Sequence, residues 1–259
     1  MTSVRSTTKV RIGRALFDNL TMAESLEKIR ALLRTEKRSF IVTANVDNVL
    51  ILERDPEFRA AHNAAAMVLA DGMPLLWASR ILGCPLKAKV SGSDLVPELC
   101  RLAAQEDLAL FFLGGEDGVP QKAANRYQAE WSALRVAGAL SPPFGFDKSD
   151  AENAEIIRRI NEAKTDILFV ALGAPRQEKW ISGHLRELDV RLAIGVGASL
   201  DFAAGKIRRA PPYWQRIGME WLWRFLHEPQ RLFKRYFIDD LFPFLFLVLR
   251  QVLETGSSP

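Results

Sequence analysis

Between Ser39 and Ala198 the chain alternates two kinds of segment. Short runs rich in β-branched and aromatic residues are SFIVTAN (39–45), AAMVLAD (65–71), LALFFLGG (108–115), LRVAGAL (134–140), DILFVALG (166–173) and VRLAIGVGA (190–198). Helix-length amphipathic stretches lie between most of them. Nearly continuous apolar strands alternating with helices predict an α/β fold, a parallel sheet with helices on both faces. An earlier helix is predicted from Thr21, where Thr-Met-Ala-Glu fits a capping box and ESLEKIRALLR supplies the helical period. After Gly205 the strand pattern stops and a basic, aromatic, helix-prone segment begins. The expected division is a core, 1–205, and a C-terminal appendage, 206–259.

The polar and glycine residues gather at the carboxyl ends of the predicted strands: Thr43 and Asn45, Asp71 and Gly72, Gly114 and Gly115, Gly173 and Gln177, Gly195 and Gly197. Open parallel sheets bind ligands at that edge, where helix N-termini also favour phosphate. A nucleotide or phosphorylated ligand is therefore expected.

Composition sharpens this only in part. With 259 residues, 48% hydrophobic and 25% charged, the chain reads as globular. Its net charge of +4 is unevenly spread. Lys206 to Tyr236 holds eight basic residues against two acidic ones, +6, which leaves −2 elsewhere. Such a block points to an anionic partner, phosphate or an anionic lipid surface. Nucleic acid is not expected, because no nucleic-acid-binding motif accompanies it. Cys84 and Cys100 lack metal-ligand spacing and the three histidines are scattered, so neither a structural metal nor a disulfide framework is expected, and a reducing cytoplasm fits. The first residues lack the apolar run of a signal peptide. The most apolar stretch, Leu241–Leu249, is shorter than the roughly 20 residues of a spanning helix and contains Pro243.

Each candidate residue has two local readings. Asp71 ends a buried strand before Gly72 and Pro74. It is either an N-cap for the helix beginning near Pro74 or a partly desolvated general base. Thr43, Asn45 and Asp47 either cap the next helix or bond sugar hydroxyls or phosphate. Gly114-Gly115-Glu116-Asp117-Gly118 and Gly195-Val196-Gly197 are glycine turns short of a full dinucleotide fingerprint. In Gly173-Ala-Pro175-Arg176-Gln177-Glu178, Gln177 is a candidate ligand contact and Glu178 a candidate cap. In the appendage, Trp214, Trp221 and Trp223 lie among arginines, a mixture suited to a membrane interface or to phosphate.

Taken in order, ADGMP, KVSGSDL (89–95), GAPRQEKW (173–180), GVGASLDFAAG (195–205), RRAP (208–211) and MEWLWRFLHEPQRLFKRY (219–236) resemble the WecG/TagA/CpsF family of bacterial glycosyltransferases. The resemblance runs from about Val10 to Tyr236. It implies a Rossmann-like core and inverting transfer from a UDP-sugar without a metal or other cofactor. The implied acceptor is a sugar on polyprenyl diphosphate at the cytoplasmic face of the plasma membrane. It further implies that Asp71 is the base and that Thr43, Asn45 and Gln177 contact substrate. Lys89, Asp94, Gly114, Gly173 and Gly197 complete the expected binding set. No DxD motif is present, so arginines of the appendage, with Arg209, Arg216 and Arg224 as leading candidates, are expected to hold the departing diphosphate. Two departures stand out: Lys89 where the family often has arginine, and Leu200 where an aromatic is common.

Two competing functions share parts of this pattern. A nicotinamide-dependent oxidoreductase shares the fold type but needs a complete GxGxxG. A non-catalytic membrane scaffold shares the basic tail but leaves the polar strand ends unexplained. The apolar tail is also compatible with a homo-oligomer.

Overall fold

A computed structural model describes residues 9–216 and 218–256. The described residues begin with an antiparallel hairpin that the sequence pattern did not announce, β1 (Lys9–Ile12) and β2 (Ala15–Asp18). Helix α1 (Met22–Leu33) begins at the predicted capping box, with Thr21 and Glu24 bonding each other's backbone. Then follow β3 (Ser39–Ala44), α2 (Val46–Arg54), α3 (Pro56–Ala64), β4 (Met67–Ala70), α4 (Met73–Ile81), α5 (Gly92–Glu106), β5 (Ala109–Gly114), α6 (Val119–Glu130), β6 (Arg135–Leu140), α7 (Asp150–Glu162), β7 (Ile167–Ala171), α8 (Arg176–His184) and β8 (Leu192–Gly195). All six predicted strands form and pair in parallel, in the order β4-β3-β8-β7-β5-β6.

Alternation along the strands sorts the core into two layers. Phe40, Val42, Val68, Phe111, Leu168 and Val170 face α2, α3, α4, α7, α8 and the hairpin. Ile41, Met67, Leu69, Phe112, Phe169 and Ile194 face α1, α5 and α6. The Rossmann-like expectation therefore holds, with helices on both faces.

Beyond β8 the chain is helical: α9 (Ser199–Ala203), α10 (Pro212–Arg216), α11 (Glu220–His227), α12 (Pro229–Phe233), a wide π-helical stretch (Lys234–Leu241) and α13 (Phe242–Gly256). The last helix returns to the core. Phe244, Leu247 and Val248 are buried in the same layer as the hairpin. Gln251 accepts the Gly13 N–H at 2.8 Å and donates to the Arg11 carbonyl at 3.2 Å. Gly13 is in the left-handed region, φ +57°, and a Cβ there would meet Glu53 Oε1 at 2.7 Å and Leu247 at 3.0 Å. The hairpin thus serves as the seat of α13. No helix among the described residues is long and apolar enough to cross a membrane.

Candidate active site

The strand order reverses around β3, which has β4 on one side and β8 on the other. A crevice is expected at the carboxyl end of such a switch point. A cavity of about 710 Å³ opens there. Thr43, Asn45, Asp71, Lys89, Gly173, Gln177 and Gly197 line it, seven of the residues singled out from the sequence.

Asp71 stands one residue past β4. Its N–H donates to the Ala44 carbonyl at 2.8 Å, so the sheet itself places it. The next residue, Gly72, has φ +127°, a conformation that favours glycine, and is the N-cap of α4. No side chain caps that helix, so the carboxylate is left for other work. Burial raises its pKa from the ordinary 3.8 to about 6, against the opposing pull of Lys89 and the Gly92 N–H. That N–H approaches Asp71 Oδ2 at 3.4 Å.

Gly92 is the first residue of α5 and escaped the sequence reading. Its close quarters explain it. A Cβ there would sit 3.0 Å from Ser199 Oγ and 3.2 Å from both Thr43 Oγ1 and the Val196 carbonyl. A glycine lets the positive end of a 15-residue helix come up against the sheet edge. The Ser-Gly-Ser-Asp spelling, a cap serine followed by a side-chain-free position, was the available signal. Thr43 itself donates to the Gly195 carbonyl at 3.1 Å.

Gln177 lies in the first turn of α8. Its Oε1 accepts the Gly197 N–H at 3.1 Å and its Nε2 donates to Glu178 Oε1 at 2.8 Å. A Cβ at Gly195 would strike Gln177 Nε2 at 2.8 Å, so Gly195 leaves the lane in which this amide runs. Glu178 does not cap α8, whose N-cap is Pro175. It is fully buried behind Gln177, and burial lifts its pKa from 4.5 to about 7 despite the Gln177 bond. Asn45 combines both of its expected roles. It caps α2 through a reciprocal pair with Asn48 (3.1 and 3.2 Å) and also lines the cavity.

A closed cluster of two cations and two carboxylates borders the site. Lys89 lies 3.1 Å from Asp94 and 3.6 Å from Glu220, and Arg209 bonds both of those carboxylates. Ser91 Oγ, the cap of α5, donates to Asp94 at 2.6 Å. For Lys89 burial works against the charge, but Asp94 and Glu220 outweigh it and its pKa is raised. For Asp94 burial pulls upward, yet Ser91, Lys89 and Arg209 hold its pKa below the usual value. The cluster joins α5 to the first residue of α11.

Three residues of the expected binding set do not line the cavity. Asp94 and Arg209 engage each other at its border. Gly114 serves packing: φ is +106°, and a Cβ would meet the Ala171 carbonyl oxygen at 2.4 Å, so glycine is what lets β5 end against β7. The side chains of Arg216 and Arg224 lie outside the described residues. Glu220, which does line the cavity, was counted in the sequence only as a charge. Among the described residues no group of three or more His, Cys, Asp or Glu is placed to hold a metal ion.

The sequence profile of the Glycosyl transferase WecG/TagA/CpsF family matches residues 10–258. The chain is also similar to N-acetylglucosaminyldiphosphoundecaprenol N-acetyl-beta-D-mannosaminyltransferase of Staphylococcus aureus strain MRSA252, 31% identical over 229 residues, covering 88% of each chain. The proteins of the same description from strains MW2 and NCTC 8325 match at the same identity and coverage.

Proposed function

The chain belongs to the WecG/TagA/CpsF family of glycosyltransferases, and from that premise we propose a specific reaction. A hexose or N-acetylhexosamine, of N-acetylmannosamine or glucose type, passes from a UDP-sugar to a polyprenyl-diphosphate-linked sugar, with inversion and without a metal. The relatives' name, which specifies an N-acetylglucosaminyl-diphosphoundecaprenol acceptor, supports the acceptor class. The observation that carries the reading is Asp71, a carboxylate with a raised pKa at the cavity's strand edge.

The acceptor hydroxyl attacks the anomeric carbon from the face opposite UDP. Asp71 takes the hydroxyl proton as the new C–O bond forms. The bond from the anomeric carbon to the β-phosphate oxygen breaks, and its electron pair leaves with UDP. A base with pKa about 6 is largely ionised at neutral pH yet more basic than a solvated aspartate. The leaving diphosphate needs positive charge near it. Lys89 lines the cavity, and the N-terminus of α5 points at the same edge. Arg209 pairs with two carboxylates at the cavity's border, and Arg216 and Arg224 follow it in the sequence of the appendage. Arg209 is bonded to Asp94 and Glu220, so reaching a diphosphate requires it to exchange carboxylate partners for phosphate. Thr43, Asn45 and Gln177 contribute polar contacts to the sugars.

We assign this reaction to the inner surface of the bacterial plasma membrane, with the appendage as the contact. Support comes from its +6 block and from Phe242, Phe246 and Leu249, which are exposed along α13. The decisive experiment is a screen of UDP-sugars with the purified chain and a polyprenyl-diphosphate-N-acetylglucosamine analogue, reading UDP release and the product's anomeric configuration. Release with one donor and an inverted product is expected. No release with any donor, or retention of configuration, would overturn it.

A further inference from the structure

The cavity extends well beyond the polar edge. Past Asp71 its walls become apolar. One wall is the exposed side of α4, including Trp77 and Ile81. The other is the side of α13 that carries Phe244, Leu245 and Val248. Neither wall is closed. Ile81 is 62% and Leu245 48% exposed, although both line the cavity. A polar ligand alone gives no reason for large apolar side chains at this end.

The helical geometry of α13 shows where the apolar surface leads. Successive residues turn by about 100°. Leu247 and Gln251 point to the core and hairpin, and Phe244 and Val248 lie between core and cavity. Leu245 stands at the cavity's outer margin. Beyond it around the helix, on adjacent turns, come Phe242, Leu249 and Phe246, all exposed. The charged residues Arg250 and Glu254 fall on the remaining side and pair with each other at 3.2 Å. The apolar surface is therefore continuous from the cavity wall, across Leu245, to the outer face of the helix.

We propose that the groove between α4 and α13 holds the first isoprene units of the acceptor's hydrocarbon chain, and that Leu245 is the sill over which the chain leaves for the membrane. This rests on the reading that the acceptor is lipid-linked. The head end of such a ligand carries the sugar whose hydroxyl must reach Asp71, at the polar end of the same cavity. Its tail starts at the diphosphate and needs an apolar exit, which the groove provides at the same end as the exposed face. A second copy of this chain is the competing occupant, but it gives no reason for the apolar walls to run inward and join the catalytic edge. The groove thereby selects for a lipid carrier over a soluble sugar diphosphate, a discrimination separate from adsorption of α13 to the bilayer.

The test is binding without turnover. Affinities of farnesyl diphosphate and methyl diphosphate, which share the head and differ in the chain, are measured by calorimetry below micellar concentration and without vesicles. The wild-type chain is expected to favour the farnesyl compound by about tenfold or more. Ile81→Asp and Leu245→Asp, at exposed positions that do not build the core, are each expected to remove most of that preference. Equal affinity of the two compounds for the wild type, or an unaltered preference in both variants, would overturn the groove. A chain that dimerises through Leu245, seen as an Ile81→Asp- and Leu245→Asp-sensitive dimer with no chain preference, would assign the surface to a second copy. The transfer reading stands or falls separately, on UDP release.

Discussion

The two walls of the cavity are built by different rules. The sheet-edge wall is set by backbone: Asp71 is placed by its N–H to Ala44, Thr43 by the Gly195 carbonyl, Gln177 by the Gly197 N–H, and Gly92 by contact on three sides. The appendage wall is set by charge and by apolar side chains: Glu220 through Lys89 and Arg209, and Phe244 and Val248 through the core. A backbone-set wall can hold a reacting group to a fraction of an ångström. A wall held by ion exchange and grease can yield to a ligand and re-form around it. The division fits a transfer reaction in which the base stays still while the cations find the diphosphate.

The sharpest break of this contrast is Asp71→Asn. It removes the base and leaves the shape, so kcat is expected to fall by about a thousandfold in a UDP-release assay. Stability is expected to move the other way. The folded pKa of about 6 lies above the ordinary 3.8, so folding favours the protonated acid. The cost of the charge is absent below pH 4, grows between about pH 4 and 6, and is complete at pH 7, where it reaches up to about 3 kcal/mol. Asp71→Asn is therefore expected to melt higher than wild type at pH 7, with the gap closing toward pH 4. Lower melting at pH 7 would deny the desolvated carboxylate.

On the opposite wall, Arg209→Ala is expected to raise the donor KM by about 10- to 100-fold, the value of a lost charge-assisted contact. Glu220→Gln gives the discriminating result. If Glu220 competes with the diphosphate for Lys89 and Arg209, its neutralisation lowers the donor KM by a few fold. A raised KM would make the four-membered cluster a fixed strut and return the leaving group to Lys89 and the helix terminus alone.

A smaller effect separates the two raised carboxyls. Glu178→Ala strips Gln177 Nε2 of its acceptor, and a roughly tenfold loss in kcat/KM is expected. Glu178→Gln keeps an acceptor and is expected to stay within about threefold of wild type. The acid limb of kcat/KM then remains near pH 6 in Glu178→Gln, because it belongs to Asp71 and not to the group that titrates at about 7. A limb that shifts or vanishes in this variant would reassign it.

Legibility in the sequence followed the same divide. The six strands were readable because a two-faced parallel sheet demands continuous apolar runs, and the strand-end polar residues followed from the edge rule. The hairpin of Lys9–Asp18 was not, because its apolar side alternates over only four residues per strand and its role comes from α13, more than 220 residues away. Gly114 stayed ambiguous for a physical reason: a glycine needed for strand approach and one needed for phosphate approach look alike until the neighbouring carbonyl is seen. Gly92 acts through a three-dimensional neighbour, Ser199, that spacing does not reveal, and for Glu178 it was the burial behind Gln177, not the adjacency, that the sequence could not show. In the appendage the basic block was plain, but its pairing was not, since Glu220 and Asp94 are 126 residues apart in the chain.

The weakest expected effect tests the outermost part of the appendage wall. Removing everything after Gly205 is a poor probe of membrane contact, because it also strips Phe244, Leu247 and Val248 from the core, each worth about 1.5–3 kcal/mol of burial. Phe246→Glu is cleaner. Phe246 is 69% exposed and lies outside the cavity lining, so the stability is expected to hold within about 0.5 kcal/mol of wild type. Partition onto vesicles rich in anionic lipid is expected to fall about three- to tenfold, since one aromatic anchor is lost and a negative charge is set against the headgroups. Turnover with a monomeric short-chain acceptor is expected to be unaltered. Sedimentation with those vesicles that matches wild type would move the membrane contact from α13 to the basic block before it.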